Sequence, residues 1–310
     1  MSTAPFPEPL DWDAPILVTM VRAALEEDLG TAGDITTNSI VPPDATACAH
    51  LLARQPVVLA GLPLAERAFR ALDGRVLFHS RYADGQTAAA GEVFAELAGP
   101  ARAILSAERT ALNFLAHLSG IASLTRRFVE ALTGTRARIR DTRKTTPLLR
   151  QLEKYAVRVG GGSNHRFGLY DAVLIKENHI ALAGSLTTAL HRARERAPAL
   201  ARPIPARPAT APPAVSTANL VIQVEVRTEA ELREALAAGA DAVLLDNVTP
   251  EEARHLVALV RAERPQCIVE VSGGITLANV RAYAEAGVDF IAAGALTHSA
   301  PAADLSLLVE

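Results

Sequence analysis

Hydrophobic positions in the first third of the chain switch from a helical period to short strand-like runs. Six apolar side chains in residues 15–29 share one helical face, namely Ile16, Leu17, Met20, Val21, Ala24 and Leu25. Asp13 and Pro15 provide start signals for this helix, and Gly30 provides a stop signal. Runs rich in β-forming residues then begin at Ala47, Val57, Arg75 and Glu92, with turn residues between them. This pattern predicts a small sheet packed on helices.

The middle of the chain contains two further helical patterns and one stretch of a different kind. The first runs from residue 101 to 132, and we expect it to break near Ser119 and Gly120. The second begins at Thr146, with a proline early in it and glycines after it. Residues 198–213 contain little besides alanine and proline, which cannot form a helix interior, so we expect an exposed, disordered insertion there.

From about residue 137 the pattern becomes regular, with nearly continuous apolar runs separated by helical segments. The strand-like runs begin at Ala137, Ala172, Leu220, Ala242, Cys267 and Phe290. The last four starts are 22, 25 and 23 residues apart, the length of a βα unit. Right-handed βα units with apolar strands form a parallel sheet, most economically closed into a barrel. Six or seven strands can be found, so the pattern fits an incomplete barrel as well as one of eight strands.

Composition narrows the class of protein. The chain has 310 residues, 49% hydrophobic and 21% charged, with a formal net charge of -3. No apolar run approaches the ~18 residues of a membrane span, and the acidic N-terminus is unlike a secretory signal. Cys48 and Cys267 lie far apart and form no metal-ligand cluster, so we expect a reducing, cytoplasmic location. A membrane protein, a disulfide scaffold and a dedicated DNA-binding protein are all disfavoured.

Positive charge is concentrated in one part of the chain. Only three of the 31 basic residues are lysines, and Lys144, Lys154 and Lys176 all fall within 33 residues. Residues 136–166 contain nine bases (Arg136, Arg138, Arg140, Arg143, Lys144, Arg150, Lys154, Arg158 and Arg166) and two acids, Asp141 and Glu153. A local cationic patch on an acidic protein indicates a small polyanionic ligand better than a long nucleic acid.

Polar or glycine residues stand at or near the carboxyl ends of six successive predicted strands. They are Arg143 with Lys144, then Lys176, Glu225, Asp246, the run Ser272-Gly273-Gly274, and Gly294. In a βα barrel all of these ends open on the same face, where such folds place their active sites. The sequence therefore predicts that these residues meet at one mouth.

The individual motifs allow more than one interpretation. The glycine turn at Gly273, followed by a helix predicted from Thr276, and the segment GALTHS from Gly294 together match a phosphate cup. Glu225 and Asp246 either neutralise neighbouring cations or bind sugar hydroxyls or Mg²⁺.

The remaining candidates are arginines and histidines. Arg109, Arg143 and Arg166 can each bind a carboxylate through two hydrogen bonds, although a buried structural ion pair is an alternative for Arg109. His165 and His179 lack metal-ligand spacing, and a core or hinge role is usual for such histidines. His117, His191 and His255 are interpreted as structural.

Eight segments read together resemble a known family. They are EEDLGTAGDITT from Glu26, SAERTALNFLAHLSGIAS from Ser106, DTRKTTP from Asp141, GGGSNHRFGLYDAVLIKENHI from Gly160, QVEV with LLDN from Gln223 and Leu244, SGGI from Ser272 and GALTHS from Gly294. In this order they closely resemble the quinolinate phosphoribosyltransferases, also called carboxylating nicotinate-nucleotide pyrophosphorylases. Two departures are the insertion at 198–213 and Ala293, where the family usually has valine.

The resemblance implies an α/β fold with two domains. An N-terminal α/β sandwich would span residues 1–113 and be completed by residues 299–310. An open, incomplete parallel α/β barrel would span residues 114–298. The resemblance also implies a homodimer, able to assemble further into a hexamer, in which Arg109 reaches the neighbouring site.

The resemblance further implies the site residues. Quinolinate would be bound by Arg109, Thr142, Arg143, His165, Arg166 and Lys176. Phosphoribosyl pyrophosphate would be bound by Lys144, Lys176, Glu225, Asp246, Ser272, Gly273, Gly274, Ala293, Gly294, Ala295 and His298. Mg²⁺ would accompany the pyrophosphate, with Glu225 and Asp246 as metal ligands, directly or through water. No nucleic-acid or membrane partner is expected.

These expectations define one reaction and two alternatives. The first is transfer of phosphoribosyl to quinolinate with loss of carbon dioxide, giving nicotinate mononucleotide for NAD biosynthesis. One alternative is a related phosphoribosyltransferase acting on another pyridine or nucleobase. The other is a barrel aldolase that uses Lys176 to form a Schiff base, because a lysine at a strand end suits that chemistry.

Overall fold

The N-terminal part of the chain is built on a four-stranded antiparallel sheet. The structure is a computed structural model that describes residues 10–200 and 221–310. The sheet has the order β12-β1-β5-β3, with β1 at Thr46–Ala53, β3 at Leu77–Ser80, β5 at Val93–Pro100 and β12 at Leu305–Val309. A two-stranded ribbon joins β2 (Val57–Val58) to β4 (Thr87–Ala88). All four predicted β runs therefore contain strands, and the last strand of the chain pairs with the first.

Three helices belong to this part of the chain. They are α1 (Pro15–Leu29), α2 (Ile35–Ile40) and α3 (Leu62–Leu72). The predicted helix at residues 15–29 is confirmed, and Leu17, Val21 and Leu25 are its buried residues. Asp13 does not cap it, since the N-cap is Ala14, and Ile16 is 49% exposed rather than part of the buried face.

The helix α4 is continuous over 31 residues, from Ala101 to Ala131. The predicted break near Ser119 and Gly120 is therefore wrong. The Ser119 hydroxyl accepts a hydrogen bond from the amide of Ala60 (3.0 Å). A Cβ at Gly120 would collide with the carbonyl oxygen of Pro301 and lie 3.1 Å from its carbon. These two small residues thus mark a close approach of other backbone segments to the helix, not its end.

The second sheet has six parallel strands in the order β6-β11-β10-β9-β8-β7. Their bounds are Arg138–Arg140 (β6), Val173–Ile175 (β7), Ile222–Val226 (β8), Ala242–Asp246 (β9), Ile268–Ser272 (β10) and Phe290–Ala292 (β11). In the part of the chain that the structure describes, β6 and β7 do not pair with each other. Ser163 forms a single parallel bridge to Arg140 beside β6. The expected parallel barrel, open on one side, is confirmed.

Seven helices follow strands of this barrel. They are α5 (Arg150–Val159), α6 (Glu177–Ala183), α7 (Leu186–Leu200), α8 (Glu229–Ala237), α9 (Pro250–Glu263), α10 (Val280–Glu285) and α11 (Ala295–His298). Two of them begin four residues later than the sequence predicts. Leu148 has a positive φ of 67°, which delays α5, and the side chain of Asn279 accepts a hydrogen bond from the Thr276 amide, which keeps residues 276–279 in a turn before α10. None of the helices within 10–200 and 221–310 is long and apolar enough to cross a bilayer.

Two further expectations concern segment boundaries. Pro198 lies inside α7, which continues to Leu200, so the first residues of the Pro/Ala stretch are helical, contrary to expectation. Residues 201–213 lie outside the described residues. The expected boundary at residues 113 and 114 falls within α4, so the two sheets share this helix. Division into two domains stays a prediction.

We expect Gly120→Ala to lower the free energy of unfolding by at least ~2 kcal/mol, because the added methyl group overlaps a backbone carbonyl that cannot rotate away. The measurement is urea denaturation followed by circular dichroism. Gly74→Ala is the matched control, since a Cβ there meets open space at an ordinary backbone angle. Equal stability of the two variants would contradict the proposed contact between α4 and residue 301.

Candidate active site

The parallel sheet places the predicted strand-end residues along one edge. Asp246 and Ser272 end β9 and β10 in register with each other, and Ser272 is in register with Ala292 at the end of β11. Lys176 follows β7 directly, and Glu225 is the penultimate residue of β8. Because all six strands run the same way, the predicted convergence at one mouth agrees with the sheet topology.

Cations and carboxylates alternate on the β7–β9 side of the mouth. The Lys176 ammonium donates to the Glu225 carboxylate. Arg227, which sequence reasoning missed, lies between Glu225 (3.7 Å) and Asp246 (3.6 Å) and also pairs with Glu177. The pKa of Arg227 is raised, chiefly by its hydrogen bond with Glu177. Both acids therefore neutralise neighbouring cations, which was one of the two interpretations of them.

The glycine turn after β10 has the geometry of an anion cradle. Gly273 and Gly274 have φ angles of 100° and 60°, a conformation that side chains rarely adopt. Asn247, with φ 57°, packs so closely that its backbone nitrogen would lie 3.0 Å from a Cβ at Gly273. The Asn279 side chain donates to the Gly274 carbonyl (2.9 Å) and so closes the turn. Within the described residues, the amides of Gly273 and Gly274 have no hydrogen-bond partner.

A second candidate anion-binding corner joins the loop after β6 to the loop after β11. A Cβ at Gly294 would lie 2.9 Å from His298 Nε2 and 3.1 Å from Lys144 Cδ. The Thr297 hydroxyl donates to the Lys144 carbonyl (2.7 Å), and the Thr142 hydroxyl accepts from the Lys144 amide (3.0 Å). Thr142 therefore shapes the backbone that carries Lys144.

The two alanines next to Gly294 differ in their available groups. The Ala293 amide donates to the Arg140 carbonyl (3.0 Å) and its side chain is buried, so it offers no free N–H to a ligand. The Ala295 amide has no hydrogen-bond partner in the described part of the chain. Of the two, Ala295 is thus the one able to donate to a phosphate.

Two arginines at the remaining side of the mouth are close enough for their charges to interact. The pKa of Arg166 is lowered, first because burial disfavours its charge and second because the positive charge of Arg143 lies near. Arg166 donates to the Ala172 carbonyl (3.2 Å). The Arg143 guanidinium is exposed and has no ion pair or hydrogen bond within residues 10–200 and 221–310. A ligand with two carboxylates would relieve this repulsion.

A buried ion pair holds the backbone next to Arg166. Lys154 and Asp141 are 2% and 0% exposed and pair with each other. Asp141 also accepts from the His165 amide (2.9 Å), and Lys154 donates to the His165 carbonyl (3.1 Å). Burial raises the pKa of Asp141 and lowers that of Lys154, while their mutual attraction opposes both shifts. This pair therefore fixes the position of His165 at both ends of the residue, a role that sequence reasoning missed.

Both ring nitrogens of His165 are used within the protein. Nδ1 accepts from the Arg166 amide (2.7 Å), and Nε2 lies 3.2 Å from Gln223 Oε1 and 3.5 Å from Glu270 Oε1. Burial lowers the pKa of His165, and the Glu270 carboxylate opposes this shift. In this conformation the neutral ring has no nitrogen free for a substrate carboxylate.

The other candidate residues divide into one exposed arginine and several structural histidines. Arg109 is exposed on α4 and forms no ion pair with any described residue, so the buried-pair alternative is not observed. His179 Nδ1 accepts from the Lys176 amide (2.9 Å) and caps α6. His117 contacts the buried Glu153 (2.9 Å), and His255 contacts Glu229 (2.8 Å). The structural interpretation of His117 and His255 agrees with these contacts.

The carboxylates do not form a metal site by themselves. No group of three or more His, Cys, Asp or Glu side chains among the described residues is arranged to hold a metal ion. Glu225 and Asp246 are two carboxylates at one mouth, each already beside a cation. Mg²⁺ typically binds one or two carboxylates together with substrate phosphates and water. The residues present therefore fit a metal ion that arrives with a phosphorylated substrate.

Fold and site together define a barrel enzyme that binds small, multiply negative, phosphorylated substrates. A sequence model described as the N-terminal domain of quinolinate phosphoribosyl transferase matches residues 34–119, and one described as its C-terminal domain matches residues 121–205 and 210–308. The chain belongs to the quinolinate phosphoribosyl transferase family. The gap between the matches at 205 and 210 falls within the Pro/Ala stretch.

Individual relatives agree with the family models. The probable carboxylating nicotinate-nucleotide pyrophosphorylase of Bacillus subtilis is 44% identical over 281 residues, covering 91% of this chain and 89% of that protein. The carboxylating nicotinate-nucleotide pyrophosphorylase of Mycobacterium leprae is 40% identical over 291 residues, covering 93% and 95%. The solved structure of the nicotinate-nucleotide pyrophosphorylase from Francisella tularensis has a TM-score of 0.84 at 39% identity, covering 95% and 96% of the two chains.

We expect Lys154→Met to lower the free energy of unfolding by ~3–5 kcal/mol, because it leaves the Asp141 carboxylate buried without its counter-ion. Guanidinium denaturation measures the loss. Arg70→Met removes the exposed pair of Arg70 with Glu66 and serves as the control, with an expected loss of at most ~0.5 kcal/mol. If Lys154→Met cost no more than this control, the pair would not hold the His165 backbone as described.

Proposed function

We propose that this chain transfers the phosphoribosyl group of phosphoribosyl pyrophosphate to quinolinate and releases carbon dioxide, giving nicotinate mononucleotide and pyrophosphate. The observation that carries the proposal is the arrangement of positively charged side chains and glycine loops at the mouth. Two glycine loops suited to anions lie on the same edge as Arg143 and Arg166, neither of which forms an ion pair with a described residue. Such a mouth suits one phosphorylated reactant and one dicarboxylate.

The phosphorylated reactant is assigned to the corners after β6, β10 and β11. The free amides of Gly273, Gly274 and Ala295 would donate to phosphate oxygens, Lys144 would supply positive charge, and the His298 ring would lie beside them. Ser272 and Gly294 complete these two loops. Asp246, Glu225 and Lys176 follow in turn at the ends of β9, β8 and β7, and the ribose would sit against them.

The dicarboxylate is assigned to Arg143, Arg166 and Lys176, with Thr142 shaping the loop. Guanidinium groups bind carboxylates through paired hydrogen bonds, so two arginines can hold two carboxylates in a fixed orientation. Binding would also remove the repulsion between Arg143 and Arg166 that lowers the pKa of Arg166.

The reaction itself needs positioning and charge rather than a nucleophilic side chain. The anomeric C–O bond breaks with its electrons leaving on pyrophosphate, and the lone pair of the quinolinate ring nitrogen forms the new C–N bond. The carboxylates of Glu225 and Asp246 stabilise the positive charge that develops on the sugar. The C2–carboxylate bond then breaks, its electron pair stays at C2 beside the positive ring nitrogen, and a proton from solvent completes the product.

Mg²⁺ is part of the proposal. When bound to the pyrophosphate oxygens it would neutralise the leaving group. Glu225 and Asp246 are the residues that would hold it, directly or through water. The remaining cations, Lys144 and Lys176, would share this neutralisation.

Assembly and location are also proposed. The exposed, unpaired Arg109 on α4 supports a homodimer in which this arginine reaches the neighbouring site. Further assembly to a hexamer and a cytoplasmic location stay predictions.

The purified protein, given quinolinate, phosphoribosyl pyrophosphate and Mg²⁺, is expected to form nicotinate mononucleotide and to release labelled carbon dioxide from carboxyl-labelled quinolinate. Arg143→Ala and Lys144→Ala should each lower kcat/KM by at least ~10²-fold, because each loses a charge-assisted contact. Arg254→Ala, an exposed arginine on α9, is the control.

Three results would contradict this assignment. Near-normal turnover in Arg143→Ala or Lys144→Ala would count against the site. Mononucleotide formation from another base without labelled carbon dioxide would favour a related phosphoribosyltransferase. A borohydride-stable adduct at Lys176 with a carbonyl substrate would favour the aldolase, although family membership and the pairing of Lys176 with Glu225 argue against it.

The shared-site dimer is tested by mixing two inactive variants. Arg109→Ala and Lys144→Ala, co-expressed with different tags, should recover about a quarter of wild-type activity when subunits pair at random. Half of the dimers are then mixed, and in each mixed dimer one site has both wild-type side chains, with Arg109 from one subunit and Lys144 from the other. The second site of that dimer has neither. Each variant alone should stay inactive. No recovery in the isolated mixed dimer would mean that both residues serve the same subunit's site.

A further inference from the structure

A layer of polar side chains crosses the barrel interior directly beneath the mouth. Arg140 on β6, Gln223 on β8 and Glu270 on β10 stand on alternate strands of the sheet. Glu270 contacts Arg140 at 3.0 Å and Gln223 at 3.1 Å, across the strands that separate them. All three therefore point to the concave side. We call these three residues the polar layer.

The polar layer lies one step below the residues assigned to substrate. Gln223 and Glu270 precede Glu225 and Ser272 by two residues on the same strands, so they share a face with them. Two residues along a strand correspond to about 6.6 Å. Barrel interiors at this depth are usually filled by bulky aliphatic side chains from alternate strands. A buried carboxylate in this position is therefore costly and calls for a reason.

Glu270 is only partly satisfied by its neighbours on the strands. It is 0% exposed, and Arg140, which stacks on the Phe290 ring at 3.3 Å, pairs with Oε2. Its Oε1 atom has no hydrogen bond in the described part of the chain, yet lies 3.5 Å from His165 Nε2. The unused oxygen is thus aimed at the His165 ring.

The ring nitrogens of His165 have fixed roles in this arrangement. Nδ1 accepts the amide hydrogen of Arg166, so it cannot carry a proton. Nε2 must then carry the proton of the neutral ring, and it faces two acceptors, Gln223 Oε1 and Glu270 Oε1. A ring with the proton on Nδ1 would set two donors against each other at the Arg166 amide.

We propose that Glu270 is a positioning residue for dicarboxylate binding: it holds His165 with its proton on Nε2, so that Nδ1 fixes the backbone of Arg166 and thereby aims its guanidinium. The proposal rests on the function proposed above for the site residues. It also gives His165 a role in placing Arg166 rather than in contacting the substrate. Arg140 and Gln223 hold Glu270 in turn.

The charges around His165 determine the expected pH behaviour. Glu270 and Asp141 raise its pKa, while burial, Arg140 and Lys154 lower it. Removing the Glu270 charge should therefore move protonation of His165 to a lower pH. Because protonation of Nδ1 breaks the bond to the Arg166 amide, the acid limb of kcat/KM for quinolinate should follow the same direction.

The decisive variant is Glu270→Gln, which keeps the volume and removes the charge. We expect KM for quinolinate to rise at least ~10-fold, with kcat and KM for phosphoribosyl pyrophosphate changed less than ~3-fold. We also expect the acid limb of the pH profile of kcat/KM for quinolinate to move to lower pH. Asp84→Asn is the matched control, because Asp84 is a partly buried carboxylate whose hydrogen bonds go to the Gly61 and Leu62 amides and the Tyr155 hydroxyl, and not to His165, Arg166 or the polar layer.

A second measurement does not depend on activity. Long-range proton–nitrogen NMR of the wild-type protein, assigned with His165→Gln, should show the Nε2-protonated tautomer near neutral pH. Should Glu270→Gln fail to fold, Gln223→Met removes the other acceptor and is expected to raise KM for quinolinate in the same way.

Three outcomes would overturn the proposal. The first is an Nδ1-protonated ring in the wild-type protein. The second is an unchanged quinolinate KM and acid limb in the folded variant. The third is the same change in Asp84→Asn. If the wild-type protein made no nicotinate mononucleotide while the tautomer was as expected, the proposed function would fail and the His165 geometry would stand.

Discussion

Six parallel strands force the ends of six distant chain segments onto one edge of a sheet, and the whole site depends on this alignment. The alignment has an electrostatic cost, because it brings Arg143, Lys144, Arg166 and Lys176 to the same mouth. Acids at the ends of β8 and β9 offset the cations on one side of the mouth. On the other side, the charge of Arg143 acts against that of Arg166, Asp171 offsets this only as the smaller effect, and neither arginine forms an ion pair with a described residue. The fold thus leaves an excess of positive charge at the place where a dianion would bind.

Two acids do lie within the cationic stretch of sequence, but neither reaches the surface to neutralise it. Asp141 and Glu153 are both 0% exposed. Asp141 binds the His165 amide, and Glu153 binds the Thr146 amide (3.1 Å), so each acid fixes a loop that carries site residues. The two kinds of charge therefore have separate roles. The buried acids order the loops, and the cations on those loops stay available to a ligand. Buried charges of this kind are costly to remove singly, because the partner is left unpaired.

The sequence predicts features that depend on periodicity and strand direction, and it misses features that depend on contacts across the barrel. Apolar runs at a βα spacing predict the parallel sheet, and parallel strands alone place Lys176, Asp246 and Gly273 together. The break at Gly120 was wrong because a glycine needed for close packing and a glycine that ends a helix look alike in a sequence. Gln223 and Glu270 were missed although a signal exists: each is a polar residue two positions before a mouth residue, within an otherwise apolar strand.

Polar residues within an apolar barrel strand indicate a role beyond packing, as the polar layer shows. An interior ion pair gains little stability over aliphatic packing, so we infer that the layer of Arg140, Gln223 and Glu270 beneath the mouth acts through its contacts. The layer contacts the His165 ring, whose lowered pKa favours the neutral form and whose two nitrogens are both used within the protein. A neutral ring adds no charge to a mouth already rich in cations, and its Nδ1 atom binds the backbone amide of Arg166 instead. Charge matching is thus left to the arginines and lysines, while their orientation is set one layer deeper in the barrel.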